Sequence, residues 1–558
     1  MQRCAHRLAA LAAGALTAAF PPGLRAQTLD SARIVAGANR VISATAAAMT
    51  EPAPGCAVGI AMRGHPIYER AFGMADLEYA IPNTPHTIFE SGSVAKQFTA
   101  ASIVLLALDG KLRLDDVVRK YIPELPDYGV PLTIRHLLNH TGGVRDWGSV
   151  MALTGVGRGD RVITQALAMD VITRQRGLDF TPGSEYSYSN SGYTLLTTIV
   201  ERVSGQRLPV FTAERFFKPL GMTHTTWRTD YRTVVPGRAQ AYAPQRAGAW
   251  RLDMPFMDVY GNGGMLTTVG DWLKWNEMFD SRSLGGALVD SMETTGVLSD
   301  GRRISYALGL TVATYHGLRQ VAHGGSTAGY QTYLVRYPDS RLSVAVMCNG
   351  ASLNPTALAH GLVDEIMGPF PAPPAPDTIS LGATTLARHV SLWREVDTHM
   401  PVRTVFQHQT LRVVGGAPLR ALRDGSFEQG EARWRFTMAA DGQPVTATRT
   451  SGDEVAHYVA EREWSPTPAE LAQFAGVWHS NEAEATFTFA VDGERAALVQ
   501  RPATRIALTP QYKDHFTLGN GANAVLWFTR DAAGRVTALH MGASRVRDMP
   551  FARRSPGP

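Results

Sequence analysis

Phe89-Glu90-Ser91-Gly92-Ser93-Val94-Ala95-Lys96-Gln97-Phe98-Thr99 places a serine and a lysine three residues apart at the head of a run that has no glycine or proline from Ser93 to Leu108. Phe98, Ile103, Leu105, Leu106 and Leu108 predict a mostly buried helix closed by Asp109-Gly110. Ser93 and Lys96 then lie one turn apart on one face, within reach of each other. The lysine is informative, because forty-eight of the fifty-four basic residues are arginine and, of the six lysines, only Lys96 has a serine three residues before it. Arginine stays protonated, whereas a lysine in a poorly solvated pocket can lose its proton and act as a base. A serine hydroxyl is a weak nucleophile until such a neighbour takes its proton. At a helix N-terminus the serine N–H also points outward, as one half of an oxyanion hole.

Strands lead into this pair. Cys56-Ala57-Val58-Gly59-Ile60-Ala61-Met62, the turn at Arg63-Gly64 and the run from Ile67 to Gly73 predict a hairpin. Helical signals follow through Leu132–Gly143, where His136 and His140 stand four apart; no glutamate lies between them, so helix-end hydrogen bonding is expected rather than a metal. Phe180-Thr181-Pro182-Gly183 is a turn that delivers the tyrosine-rich stretch 184–193 to a helix from Thr194 to about Val203. Gly261-Asn262-Gly263-Gly264 precedes a helix bearing Trp272 and Trp275, capped by Thr268 or Asp271. Strand-like runs return at Tyr306–Thr314, Tyr330–Tyr337 and Leu342–Met347, with Val321–Gly329 between the first two. Strands, a helical middle and returning strands predict an α+β domain over 27–368.

With 558 residues, 44% of them apolar and 18% charged, the chain has room for several domains with real cores and is not a disordered one. Arg3 and Arg7, the apolar run Leu8–Phe20 and Leu24-Arg25-Ala26 read as a signal peptide, 1–26, cleaved after Ala26; the run is too short to span a bilayer comfortably. The expected location is secreted or periplasmic. Beyond Ala26 there remain 51 basic against 49 acidic groups, no footprint for nucleic acid or an anionic membrane. Cys56 and Cys348 also remain, each in a strand-like run; they are read as small buried apolar residues rather than a pair, since cross-strand disulfide geometry is restrictive.

Five prolines in Pro369–Pro376 predict a stiff linker, and beyond it the pattern turns to short alternating runs. Leu386-Ala387 with Trp393 is echoed by Leu471-Ala472 with Trp478 at an offset of 85, and Phe436 with Gly442 by Phe528 with Gly534 at an offset of 92. This predicts two copies of one all-β, barrel-like unit, 377–464 and 466–558.

Ser93-Val94-Ala95-Lys96, Tyr188-Ser189-Asn190 and His323-Gly324-Gly325 occur in that order. The set resembles the class C β-lactamase and penicillin-binding protein family of serine hydrolases, with its S-x-x-K, Y-x-N and K/H-x-G motifs. Leu137–Gly143, Phe180–Gly183 and Gly263-Gly264-Met265 share the likeness, which covers about Thr28 to Met367. The resemblance implies an antiparallel sheet flanked by helices plus a helical subdomain, with the active site between them. Ser93 would be the acylated nucleophile, Lys96 its proton partner and Tyr188 the base that assists acylation and activates the deacylating water. Asn190 would bond the substrate, His323, Gly324 and Gly325 would form the opposite wall, and Ser326 N–H would complete the oxyanion hole. The family's strand order would also bring Cys56 near Cys348.

No K-[ST]-G occurs, and a histidine is cationic only part of the time near neutral pH, so strong recognition of a substrate carboxylate is not expected. Family members with H-x-G include esterases and D-amino-acid peptidases or amidases, some with lipocalin-like C-terminal barrels. An amide or ester hydrolase acting on a small molecule or short peptide is therefore expected, without metal or other cofactor. A β-lactamase or D,D-carboxypeptidase is the nearest alternative, and a sensing protein that deacylates slowly is one of another class. Gly324-Gly325-Ser326-Thr327-Ala328 fails as an α/β-hydrolase elbow, since Ala328 stands where glycine is needed.

Overall fold

The apolar run at Cys56 lacks the alternation of a half-exposed strand because both faces of its sheet are covered. In the computed structural model, which describes residues 30–50, 52–155, 161–372, 375–500, 504–519 and 523–554, it forms β1 (Cys56–Met62), paired with β2 (His65–Phe72) across the Arg63-Gly64 turn. The expected signal peptide lies outside the described residues. The returning strands are β3 (Thr311–Tyr315), β4 (Leu318–Thr327), β5 (Tyr330–Tyr337) and β6 (Leu342–Cys348). All pairs are antiparallel, in the order β3-β4-β5-β6-β1-β2. One expectation shifts here: Tyr306 precedes β3 instead of starting it. The stretch Val321–Thr327 makes up most of β4.

Helices α1 (Ser31–Ala47) and α5 (Pro355–Met367) cover one face of this sheet, where Ile34, Ala38, Leu362 and Ile366 meet Val58, Ile60, Val344 and Val346. Each of these valine, leucine and isoleucine side chains contributes about 1.5–3 kcal/mol on burial. Helix α4 (Val269–Ser281) covers the other face, close enough that a Cβ on Gly59 would sit 3.1 Å from Val269 and Leu273. Thr268 is its N-cap, accepting from Asp271 N–H. Behind it α2 (Lys96–Leu108), apolar almost all round and almost wholly buried, packs on α3 (Asn190–Ser204) in the helical part. Among the described residues no helix is long and apolar enough to cross a membrane.

Cys56 and Cys348 form a disulfide, which corrects the reading of two separate buried residues. Asn349 N–H donates to the Gly55 carbonyl, so the cysteines fall on the next, non-hydrogen-bonded pair of the β1–β6 ladder. Antiparallel strands come closest at such pairs, and the two Cα atoms stand 4.0 Å apart. A parity of the ladder decided this, and composition does not reveal it.

Past Met367 the chain builds two eight-stranded antiparallel barrels. Strands spanning 391–461 form the first, whose edge strands meet through the isolated Arg412–Pro418 bridge, and strands spanning 476–553 form the second, fully closed barrel. A one-turn helix precedes the first strand of each, Ala383–Ala387 and Pro468–Ala472, and Trp393 and Trp478 are fully buried at matching places. Both barrels touch the α+β domain. Asp453 of the first accepts from Ser305, while Arg547 of the second pairs with Glu185 at 2.6 Å.

Candidate active site

Ser93 sits in a single 3₁₀ turn, Gly92–Ala95, between the short strand Phe89–Glu90 and α2, so the expected helix begins one turn tighter than a regular α-helix. Gly92 has φ 52°, and a Cβ there would lie 2.5 Å from Ser326 N. A Cβ on Gly325 would likewise strike the Ser91 carbonyl, at 2.0 Å. Two glycines thus let β4 run against the backbone that carries the serine, which places Ser326 beside Ser93.

Lys96 is fully buried. Its Nζ lies 3.1 Å from Ser93 Oγ, 2.9 Å from Asn190 Oδ1 and 2.6 Å from the Asn262 carbonyl, over the rings of Tyr188 and Tyr193 at 4.8 and 5.5 Å. Asn190 is already the first residue of α3, which starts four residues earlier than expected, and its N–H donates to Asp146. Its side-chain oxygen is engaged by Lys96, which leaves the amide nitrogen as the group it can offer to a substrate.

The Tyr188 hydroxyl is buried and makes no regular hydrogen bond among the described residues, but it faces Ser93. Burial pushes its pKa up; the Ser93 hydroxyl and the Arg545 guanidinium, 5.0 Å from the ring centre, offset part of that. The phenol is therefore neutral at rest. His140 packs on Tyr188 at 4.1 Å between ring centres and takes the Ser189 N–H on Nδ1; burial, with Lys96, holds its pKa well down. His136 caps a helix start with Thr133 instead, so neither histidine of that pair faces a common ligand.

His323 departs from its expected partial charge. Burial, reinforced by Lys96, lowers its pKa to about 3, so the ring is neutral through the physiological range. Nδ1 lies 2.6 Å from the Gly324 carbonyl, which only accepts, so the proton sits on Nδ1 and Nε2 accepts from Tyr306 O–H at 2.9 Å.

Ser93, Tyr188, Asn190, His323, Gly324, Gly325 and Ser326 line one cavity of about 910 Å³, with Lys96 beneath its floor. The Asn262 carbonyl, Asp146 and Tyr306 complete the site without having been singled out. The glycines around Asn262 were a signal for the first; a buried aspartate and a tyrosine between strands carry none. Glu454 from the first barrel and Arg545 from the second also line the cavity, and no local pattern announces either. A serine nucleophile, a buried amine, a phenol and converging backbone N–H groups are the parts that acyl transfer through a covalent intermediate requires.

The family profile described as Beta-lactamase matches residues 41–365. The chain belongs to the beta-lactamase family. It is a serine hydrolase of that family, and the matched span holds Ser93, Lys96, Tyr188 and His323. This beta-lactamase-family enzyme is 27% identical over 531 residues to a D-aminopeptidase of Gluconobacter oxydans, covering 90% of this chain and 96% of that one. A D-aminopeptidase of Brucella canis is 24% identical over 521 residues, with the same coverage. These alignments are long enough to include both barrels. Among solved structures, a penicillin-binding protein homologue from Pyrococcus abyssi superposes with a TM-score of 0.55 at 23% identity, over 76% of this chain and 98% of that one. A D-amino acid amidase from Ochrobactrum anthropi does so at 0.50 and 22%, over 60% and 97%. They agree on the fold.

Proposed function

We propose that the protein hydrolyses amide bonds of D-amino-acid peptides or amides, and carboxylic esters, through an acyl-enzyme on Ser93. The observation that carries this reading is the Ser93–Lys96–Tyr188 cluster set against a strand wall whose histidine is neutral. Ser93 Oγ attacks the substrate carbonyl as its proton passes to Lys96 Nζ, which must enter this step as the unprotonated amine. The Ser93 and Ser326 N–H groups receive the oxyanion. Tyr188, kept neutral by burial, hands a proton to the departing amine or alcohol and recovers one through Lys96, so the serine proton ends on the leaving group. Water then repeats the sequence in reverse on the acyl carbonyl.

Preference for the D series, and for amides over β-lactams, is supported by the long similarity to D-aminopeptidases and by the uncharged β4 wall, which offers a substrate carboxylate no permanent cation. We also propose export to an oxidising compartment, supported by the signal-like 1–26 and the Cys56–Cys348 disulfide.

Ser93→Ala should lower turnover of D-alanine p-nitroanilide and of p-nitrophenyl acetate by about 10³-fold or more. A folded variant that keeps its activity would sink the assignment. Equal rates on D- and L-alanine p-nitroanilide would sink the stereochemical part alone.

A further inference from the structure

We propose that Glu454, on the last hairpin of the first barrel, binds the ammonium group of substrates that present a free amino terminus. The inference deepens the D-amino-acid peptidase reading above and rests on it. Among the described residues two carboxylates line the active-site cavity, Glu90 and Glu454. Glu90 is fully buried and held by Arg228 through two 2.9 Å bonds and by Arg238 at 3.3 Å, so its charge is spent inside the wall. Glu454 is exposed and has no ion pair among the described residues. The hairpin that presents it is built for placement. Gly452, at φ 57°, allows the two-residue turn; Asp453 Oδ2 then accepts from Ser305 N–H at 2.7 Å and Ser305 O–H at 2.6 Å, and Arg302 donates to the Asp453 carbonyl at 3.0 Å. Ser305 adjoins Tyr306, the partner of His323, so the turn is tied to the wall that faces Ser93. Glu454 thus presents an unpaired carboxylate to the cavity that Ser93 also lines, and bound substrate would cover it and strengthen its contact with a cationic amine.

The test compares kcat/KM of the full-length protein on D-alanine p-nitroanilide with that on propionyl p-nitroanilide, which lacks only the amine. Wild type should favour the amine, and the preference should fade as pH passes the substrate's α-amino pKa, about 8. Glu454→Gln should cut the ratio by about tenfold, mostly through KM, and Glu454→Lys by more. A ratio within about twofold of wild type in both variants, or equal losses on both substrates, overturns the role of Glu454 while leaving the peptidase reading intact. A wild type that cleaves p-nitrophenyl acetate through Ser93 but shows no preference for the amine overturns both.

Discussion

The last hairpins of the two barrels hold equivalent places in the repeat, yet they bring opposite charge to one cavity. Strands Pro444–Ser451 and Glu454–Glu461 of the first correspond to Val536–Ala543 and Val546–Arg553 of the second, each offset by 92 residues. The first turn carries Asp453 and Glu454; the second carries Arg545, followed by Arg547. Asp453 reaches Ser305, on the β4 side of the cleft, whereas the Arg545 carbonyl takes the Asp146 N–H, on the helical side. Asp146 in turn holds Asn190 N–H at 2.8 Å. One scaffold used twice therefore grips the cleft from both walls, and turn chemistry decides what each copy contributes. Each barrel contributes a lining residue, Glu454 or Arg545, to the cavity that Ser93 lines.

Cutting the anchor of the basic hairpin should cost most. Arg547 pairs with Glu185 at 2.6 Å and lies 5.1 Å from the centre of the Phe180 ring, while its N–H donates to the buried Asp179 carboxylate. Arg547→Met should lower stability by about 3 kcal/mol in urea melts and reduce kcat, because segment 184–188 leads directly to Tyr188. Unchanged stability would mean that the basic hairpin docks by shape alone.

Acid should separate the barrels by a smaller amount. His399 of the first stacks on Trp527 of the second at 4.2 Å, and its Nδ1 lies 3.1 Å from His515 Nε2. Burial lowers His399 to about 4, helped by Arg394 and His540 against Asp548, and lowers His515 to about 3, helped by His399 and Arg394 against the Lys513 carbonyl and Asp514. Both values lie below the unfolded 6.5, so the unfolded chain binds more protons. The contribution is complete above pH 6.5 and is lost as pH falls toward 4, on the order of 2 kcal/mol after allowing for the partial exposure of His399. Urea midpoints at pH 7.5 and 4.5 measure it, and His515→Asn should flatten the difference.

The two walls also differ in how far sequence discloses them. Ser93 and Lys96 are legible because one helical turn brings them together, and Tyr188 and His323 because short motifs mark them. The tandem barrels are legible through Trp393 and Trp478, since a repeated core needs the same large side chain at the same place. Arg545 and Glu454 lie hundreds of residues from Ser93 and reach it only through domain docking, which leaves no periodicity. The neutrality of His323 depends on burial and on Lys96 nearby, and the disulfide depends on ladder parity; both are properties of the assembled sheet.

Arg545→Gln tests the basic turn without its anchor. The guanidinium lowers the pKa that burial raises at Tyr188, so its loss should raise that pKa further and make the phenol a poorer proton donor to the leaving group. A fall of about fivefold in kcat, with KM for p-nitrophenyl acetate nearly constant, is expected. A change confined to KM would assign Arg545 to substrate binding instead.

The smallest expected effect belongs to Asp453→Asn. Both bonds from Ser305 are charge-assisted, and an amide oxygen in the same place can still accept them, so each weakens by about half rather than disappearing. Stability should fall by no more than about 1 kcal/mol, since the Arg302 bond to the Asp453 backbone carbonyl survives. The turn that carries Glu454 would sample more positions, and preference for D-alanine p-nitroanilide over propionyl p-nitroanilide should drop by about threefold, less than in Glu454→Gln. A larger drop than Glu454→Gln would place the ammonium contact on Asp453 itself, and no drop would show that the acidic hairpin is held by its barrel and not by Ser305.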